Sequence, residues 1–229
     1  MINIISSFYV SKYSSKLDSL RTKELETSLI NNISCPFVEK IHLFVDDNDS
    51  LIRLNELINN SDKIVIIAVG IKPKYNDFFN YIVNNLNDKI CMIINSDIYL
   101  FECDLNLINR LKNEKICYAL SRYEYDMSCY QINNYGGSHD CYIFNSKFIN
   151  EKIINEHTNF YQNFPGIETH ILKNFCDNNF QVFNPCKQIK IIHLHKTQLR
   201  NHGQWIGLHK HGDWAHHRKS CWWVPPVIL

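Results

Sequence analysis

"ICMIINSDIYLFE", residues 90–102, begins as an unbroken apolar run, halts at Asn95-Ser96-Asp97, and turns apolar again at once. The first part, "KICMII" (89–94), shows no polar alternation, so it reads as a strand covered on both faces, as in the middle of a parallel sheet. In open α/β sheets ligands bind at the carboxyl ends of the strands, near the point where strand order reverses. A carboxylate at Asp97 therefore stands where polar chemistry is usual, although Asn, Ser and Asp are also ordinary turn formers.

Working outward towards the N-terminus, strand and helix signals alternate. "INIISSFYV" (2–10) is a strand, and Leu17, Leu20, Glu24, Leu25, Ser28 and Leu29 fall at helical spacing over 17–30. "KIHLFV" (40–45) is a second strand ending in Asp46-Asp47, "SLIRLNELI" (50–58) a short helix, and "DKIVIIAV" (62–69) a third strand. Tyr75, Phe78, Phe79, Ile82 and Leu86 mark an amphipathic helix before the opening stretch. Beyond it, "DLNLINRLK" (104–112) reads as helix and "KICYALSRYE" (115–124) as strand, followed after Gly136-Gly137 by the strand "HDCYIFN" (139–145). A helix over 166–179 and strands at 180–183 and 188–195 complete the pattern. The expectation is one α/β domain over 1–201, a Rossmann-like, mixed but mostly parallel central sheet flanked by helices.

Residues 202–229 differ in composition, holding all four tryptophans and a cluster of histidines including His209, His211, His216 and His217. They read as a separate tail, either a lid over the site or a packing segment. The histidine spacing matches no closed zinc site.

Lys plus Arg number 24 against 23 Asp plus Glu, so no net field points to nucleic acid. No stretch approaches the roughly 20 apolar residues of a membrane helix, and "MINIISSFYV" lacks a signal peptide's basic region and long apolar core. A soluble, cytoplasmic protein is expected. The nine cysteines include no CxxC pair, which suits buried reduced thiols better than a disulfide framework.

Six fragments, "KIHLFVDD", "INSDIYL", "YALSRYE", "GSHDCYIFN", "FPGIETHIL" and "IIHLHKTQLRN", occur in an order that resembles a family of nucleotide-sugar glycosyltransferases of the GT-A type, found in large DNA viruses and microbes. The resemblance covers about residues 1–201. It implies transfer of a sugar, hexosyltransferase-like, from a nucleoside-diphosphate donor (UDP-linked) to a glycan or protein-linked hydroxyl acceptor. The tripeptide takes the place of that family's D-x-D motif, with Asn95 where the first Asp would stand. Asp97 would then hold Mn²⁺ or Mg²⁺, a Lewis acid for the departing diphosphate. His193 and His195, alternating along the last strand and so pointing to one face, resemble the position of a further metal or phosphate ligand. With Asn95 in place of Asp the site has one charge fewer, and metal-independent neutralisation of the diphosphate by Lys196 or Arg200 stays open.

The same resemblance puts donor contacts at Ser6 and Phe8 after the first strand, Asp46 after the second, Arg21 on the first helix, and Asn95 and Ser96 in the tripeptide. Arg122 after its strand either binds donor oxygens with its fork of N–H groups or pairs with Glu124. Asp140 either enters the cleft or forms an Asx turn. Glu168, in the first turn of a helix and favoured there by the dipole, is the first candidate general base and Asp140 the second. Two rivals remain. A sugar-1-phosphate nucleotidyltransferase would want a Gly-rich loop after the first strand, and "SSFYVSKYSSK" has no glycine. A degenerate transferase fold serving as a carbohydrate-binding scaffold would bind no donor.

Overall fold

The computed structural model describes residues 1–12, 16–58, 61–128, 139–162, 167–197 and 224–229. Its first half follows the expected rhythm: β1 (Ile2–Ser7), α1 (Lys16–Ser34), β2 (Val38–Val45), α2 (Asn48–Ile58), β3 (Ile64–Ala68), α3 (Tyr75–Asn85) and β4 (Ile90–Ile94). After it come β5 (Ile98–Cys103), α4 (Leu105–Arg110), β6 (Ile116–Leu120), β7 (Tyr123–Glu124) and β8 (Cys141–Asn145). Three 3-10 turns lie between 146 and 158, followed by α5 (Ile167–Asp177), β9 (Gln181–Phe183) and β10 (Ile189–His193).

Seven strands form the central sheet in the order β3-β2-β1-β4-β8-β6-β9. Only β8 runs against its neighbours β4 and β6; every other pairing in this sheet is parallel. The fold is thus Rossmann-like and GT-A-like, as the sequence suggests. The chain steps from β1 out to β3, then returns to lay β4 on the other side of β1, so the switch point lies between β1 and β4. Ile5 stands opposite Ile93 in this pair. One residue further on, the Ser6 hydroxyl donates to the Ile94 carbonyl at 2.9 Å and ties the two strand ends together.

Both faces of the sheet are covered. Ile4 and Met92 point to one side, where Leu29 of α1, Leu54 of α2 and Leu107 of α4 pack; Ile5 and Ile93 point to the other. There Phe78, Phe79, Phe144 and Phe175 are fully buried, with ring centroids 5.2–6.0 Å apart for the pairs Phe144–Phe175, Phe79–Phe144 and Phe79–Phe175. Each such ring contributes about 1.5–3 kcal/mol by leaving water. This explains the unbroken apolar strands: alternation would expose polar groups to a helix layer. Cys35, Cys91, Cys117 and Cys141 are buried thiols within these layers.

Three features depart from the sequence expectation. "IYLFEC" is a strand in its own right, β5, which pairs antiparallel with β10 in a second, three-stranded sheet of order β5-β10-β7. The expected strand 115–124 breaks at Ser121-Arg122, sending β6 into the central sheet and β7 into the small one. In α1 the buried stripe is Asp18, Arg21, Leu25, Ser28, Leu29 and Asn32, whereas Leu17 and Leu20 are exposed. The reason is that α1 faces polar partners. Asn32 donates to the Ile98 carbonyl and accepts from the Leu100 N–H, both at 3.0 Å, holding the backbone of β5 as a neighbouring strand would.

Residues 198–223, with the tryptophans, all the tail histidines and the expected boundary at 201/202, lie outside the described residues. The last six residues lie against the domain. The Val227 N–H donates to the Asn184 carbonyl at 3.0 Å, and the Leu229 N–H to Gln188 Oε1 at 2.8 Å, just beyond β9. Among the described residues no helix is long and apolar enough to cross a membrane.

Candidate functional site

The turn Asn95-Ser96-Asp97 closes with the Ile98 N–H donating to the Asn95 carbonyl at 3.1 Å, which reverses the chain from β4 into β5. That reversal buries Asp97, leaving its side chain 4% exposed. Three side chains, one from α1 and two from the end of β10, converge on its Oδ2 atom. Arg21 Nη2 from α1 lies at 2.6 Å, His193 Nε2 at the end of β10 at 3.2 Å, and His195 Nδ1 two residues further on at 3.7 Å. The Leu194 N–H donates to the Asp97 carbonyl at 2.8 Å, locking the end of β10 onto the turn. The other carboxylate oxygen, Oδ1, is buried and has no partner.

From Asp97 the charges alternate across the strand ends. His193 Nδ1 lies 3.1 Å from Glu124 Oε2 on β7, and Glu124 Oε1 accepts from Arg122 Nε at 3.0 Å. Arg122 Nη1 donates to Asp140 Oδ2 at 3.1 Å, and Asn95 Nδ2 donates to Asp140 Oδ1 at 3.3 Å. Each buried charge thus meets an opposite charge, without which burial would cost several kcal/mol. The electrostatics follow. Burial alone would raise the Asp97 carboxyl, but the bond from His193 and the charge of Arg21 hold it well below the usual carboxylate range. His193 would be lowered by burial, yet Asp97 and Glu124 raise it to about 9. Glu124 is lowered to about 2, chiefly by its bond with His193.

Asp97, His193 and His195 each offer one ligand atom, all within 4.8 Å of one another. Once His193 gives up its proton, one carboxylate oxygen and two imidazole nitrogens form a donor set suited to a divalent transition ion. Glu124 behind His193 supplies the outer carboxylate that commonly orients a metal-binding imidazole. The orphaned Asp97 Oδ1 is a further acceptor waiting for a ligand. These residues fit a bound divalent cation.

The other expected site residues divide. Ser96 and Ser7 meet at the cleft, their hydroxyl oxygens 3.0 Å apart, and Ser7 also donates to Gln162 Oε1 at 3.2 Å. Ser6 donates to the Ile94 carbonyl and Phe8 is 2% exposed, and both line the small cavity at the ends of β1 and β4 together with Ser7, Asn95 and Ser96. Arg21 points at Asp97, so the expected place against a diphosphate is taken by an ion pair. Arg122 pairs with both Glu124 and Asp140. Asp140 is buried and bonded, whereas Glu168, in the first turn of α5, is only half-buried and its backbone carbonyl lies 3.5 Å from the Tyr142 hydroxyl. Asp46 is half-buried beyond the end of β2, within electrostatic reach of Lys72. Lys196 is exposed, its ammonium 3.7 Å from the centroid of the Tyr125 ring. Arg200 lies outside the described residues.

Sequence reading missed Glu24, Tyr9 and Gln162. Glu24 Oε2 accepts from Arg21 Nη1 at 3.0 Å, an i,i+3 pair that helical spacing could have revealed. The Tyr9 hydroxyl is also bonded to Arg21, and Gln162 Nε2 donates to the Ile94 carbonyl at 2.9 Å. Nothing local marks either of these two.

No protein-family model matches the chain, and no curated protein sequence does. Solved structures do. Residues 1–349 of TarS from S. aureus superpose with a TM-score of 0.54 at 12% identity, over 84% of this chain and 60% of that one. The chain therefore spans less than two thirds of that structure. A provisionally assigned nucleotide-diphospho-sugar transferase from Desulfovibrio desulfuricans gives 0.49 at 8% identity, over 80% of this chain and 78% of that one. The 4-diphosphocytidyl-2C-methyl-D-erythritol synthase of Anaerococcus prevotii gives 0.47 at 13%, over 87% and 89%. The likeness to TarS shows a shared fold; the two lower scores add nothing to it.

Proposed function

We propose that the chain is a glycosyltransferase that moves a sugar from a UDP-linked donor to a hydroxyl group of a glycan or protein-linked acceptor. The observation that carries the reading is the convergence of Asp97, His193 and His195 at the switch point of a GT-A-like sheet. When bound there, Mn²⁺ would supply Lewis-acid charge to the diphosphate. Ser7 and Ser96 offer hydroxyls to the donor at the mouth of the cleft. Asn95, its Nδ2 committed to Asp140, keeps a buried, partnerless Oδ1 that accepts from a ribose or sugar hydroxyl.

The proton of the acceptor hydroxyl goes to Glu168 as the acceptor oxygen bonds to the sugar's anomeric carbon and the bond from that carbon to the diphosphate breaks. Glu168 is favoured over Asp140 because both oxygens of Asp140 are already engaged, by Arg122 and Asn95. Asp140 instead fixes those two side chains.

A thermal-shift series of the whole chain with UDP, GDP, CMP, dTDP, UTP and CTP, each with Mn²⁺, Mg²⁺ or EDTA, tests the reading. A ligand at 100 times its dissociation constant adds about 2.7 kcal/mol to stability. A Mn²⁺-dependent rise with UDP is expected. Stabilisation by nucleoside triphosphates alone would turn the assignment to a nucleotidyltransferase, and no rise with any nucleotide would leave the scaffold.

A further inference from the structure

The carboxylate on which the metal reading depends already carries a cation. Arg21 Nη2 is 2.6 Å from Asp97 Oδ2, the same oxygen that both imidazoles approach. A metal held by that oxygen and the imidazoles would bring its charge to the same oxygen that the guanidinium now faces. That oxygen already faces the Arg21 guanidinium and the His193 ring, so a divalent ion adds two further positive charges at a point where the bulkier cation must give way.

Arg21 has somewhere else to go. Its Nη1 donates to Glu24 Oε2 at 3.0 Å and to the Leu194 carbonyl at 3.1 Å, and the Tyr9 hydroxyl is bonded to it as well. Glu24 in turn accepts from the N–H and hydroxyl of Thr197, both at 2.9 Å, so its carboxylate is anchored beside the guanidinium whether or not Asp97 is. The geometry points to an exchange: Arg21 is the built-in counter-cation of Asp97, and a divalent ion binds by displacing its guanidinium onto Glu24. This inference rests on the metal reading proposed above and makes Arg21 a positioning residue that sets metal affinity.

Isothermal titration of Mn²⁺ alone into the full chain separates the cases. Arg21→Gln is expected to tighten binding at least ten-fold, and Glu24→Gln to weaken it several-fold because the displaced guanidinium loses its resting place. Opposite signs from two neighbouring substitutions are not what a merely structural pair would give. Asp97→Asn reports ions bound elsewhere on the chain, including the tail histidines. Should the wild type and Asp97→Asn bind alike, the metal reading falls, and the exchange with it. If the wild type binds at Asp97 but Arg21→Gln binds no more tightly, the exchange alone is overturned. Should Arg21→Gln not fold, the wild type still decides: its guanidinium NMR signal, assigned by its loss in Arg21→Lys, shifts on adding diamagnetic Zn²⁺. An unmoved signal under saturating Zn²⁺ overturns the exchange.

Discussion

Arg21–Asp97 and Arg110–Glu114 are both arginine–carboxylate pairs, at 2.6 and 3.0 Å, but the first has side chains 6% and 4% exposed and the second 37% and 44%. The exposed pair is a helical i,i+4 contact, screened by water and worth a few tenths of a kcal/mol. The buried pair belongs to a chain of charges running from Arg21 to Asp140, whose members are largely desolvated except Glu124, 32% exposed. Apolar residues of similar volume would close the same strand ends at equal or better stability. A buried network kept at such a cost at a switch point argues for a site, where an exposed pair argues for nothing beyond solubility.

That contrast breaks most readily at Asp97. Replacing it with Ala leaves Arg21 and His193 buried without their shared partner, and denaturant unfolding should register a loss of about 3–5 kcal/mol. A loss under about 1 kcal/mol would make the buried pair no different from a surface one. Next comes Glu168, a half-buried carboxylate in the first turn of α5. Glu168→Gln should lower turnover about 100-fold or more while leaving the UDP-induced thermal shift intact. Undiminished turnover would return the base assignment to Asp140.

Histidines sharpen the comparison further. His42 and His193 are 4% and 5% exposed, but His42 meets only the neutral Tyr81 hydroxyl and Asn3 amide oxygen. Burial lowers its pKa from 6.5 to about 4. The unfolded chain therefore takes up this proton first, and stability falls as pH drops from about 6.5 towards 4. Between about pH 7 and pH 5 the cost should be about 1 kcal/mol, and His42→Gln should remove that share of the fall in melting temperature, leaving the part due to His139, which burial also lowers to about 4. Smallest of all, Arg110→Ala should change stability by less than about 0.5 kcal/mol. A larger effect in a melting curve would mean that exposure does not separate the two kinds of pair.

Much of the sheet was legible because its strands are apolar on both faces and its helices keep 3.6-residue spacing. β4 ending at Asn95-Ser96-Asp97 is the clearest case, and the structure places that turn at the switch point. β5 was passed over because a turn of three residues gives no local sign of whether the chain continues or reverses; the reversal is stabilised from a distance by Asn32 and β10. The buried face of α1 was misjudged for a related reason. Hydrophobic periodicity selects Leu17 and Leu20, but the face that packs needs Arg21 and Asn32 for partners more than sixty residues away in sequence.

From its sequence alone this protein was determined to have a mostly parallel α/β sheet and a carboxylate at the end of a central strand, because burial on both faces and local turn chemistry leave their marks in consecutive residues. Only the tertiary structure decided what that carboxylate meets. Arg21 comes from α1 and His193 and His195 from the end of β10, both far from Asp97 in sequence, and their pairing with it follows from strand order and from the rule that a buried charge must find its opposite, neither of which any short stretch records.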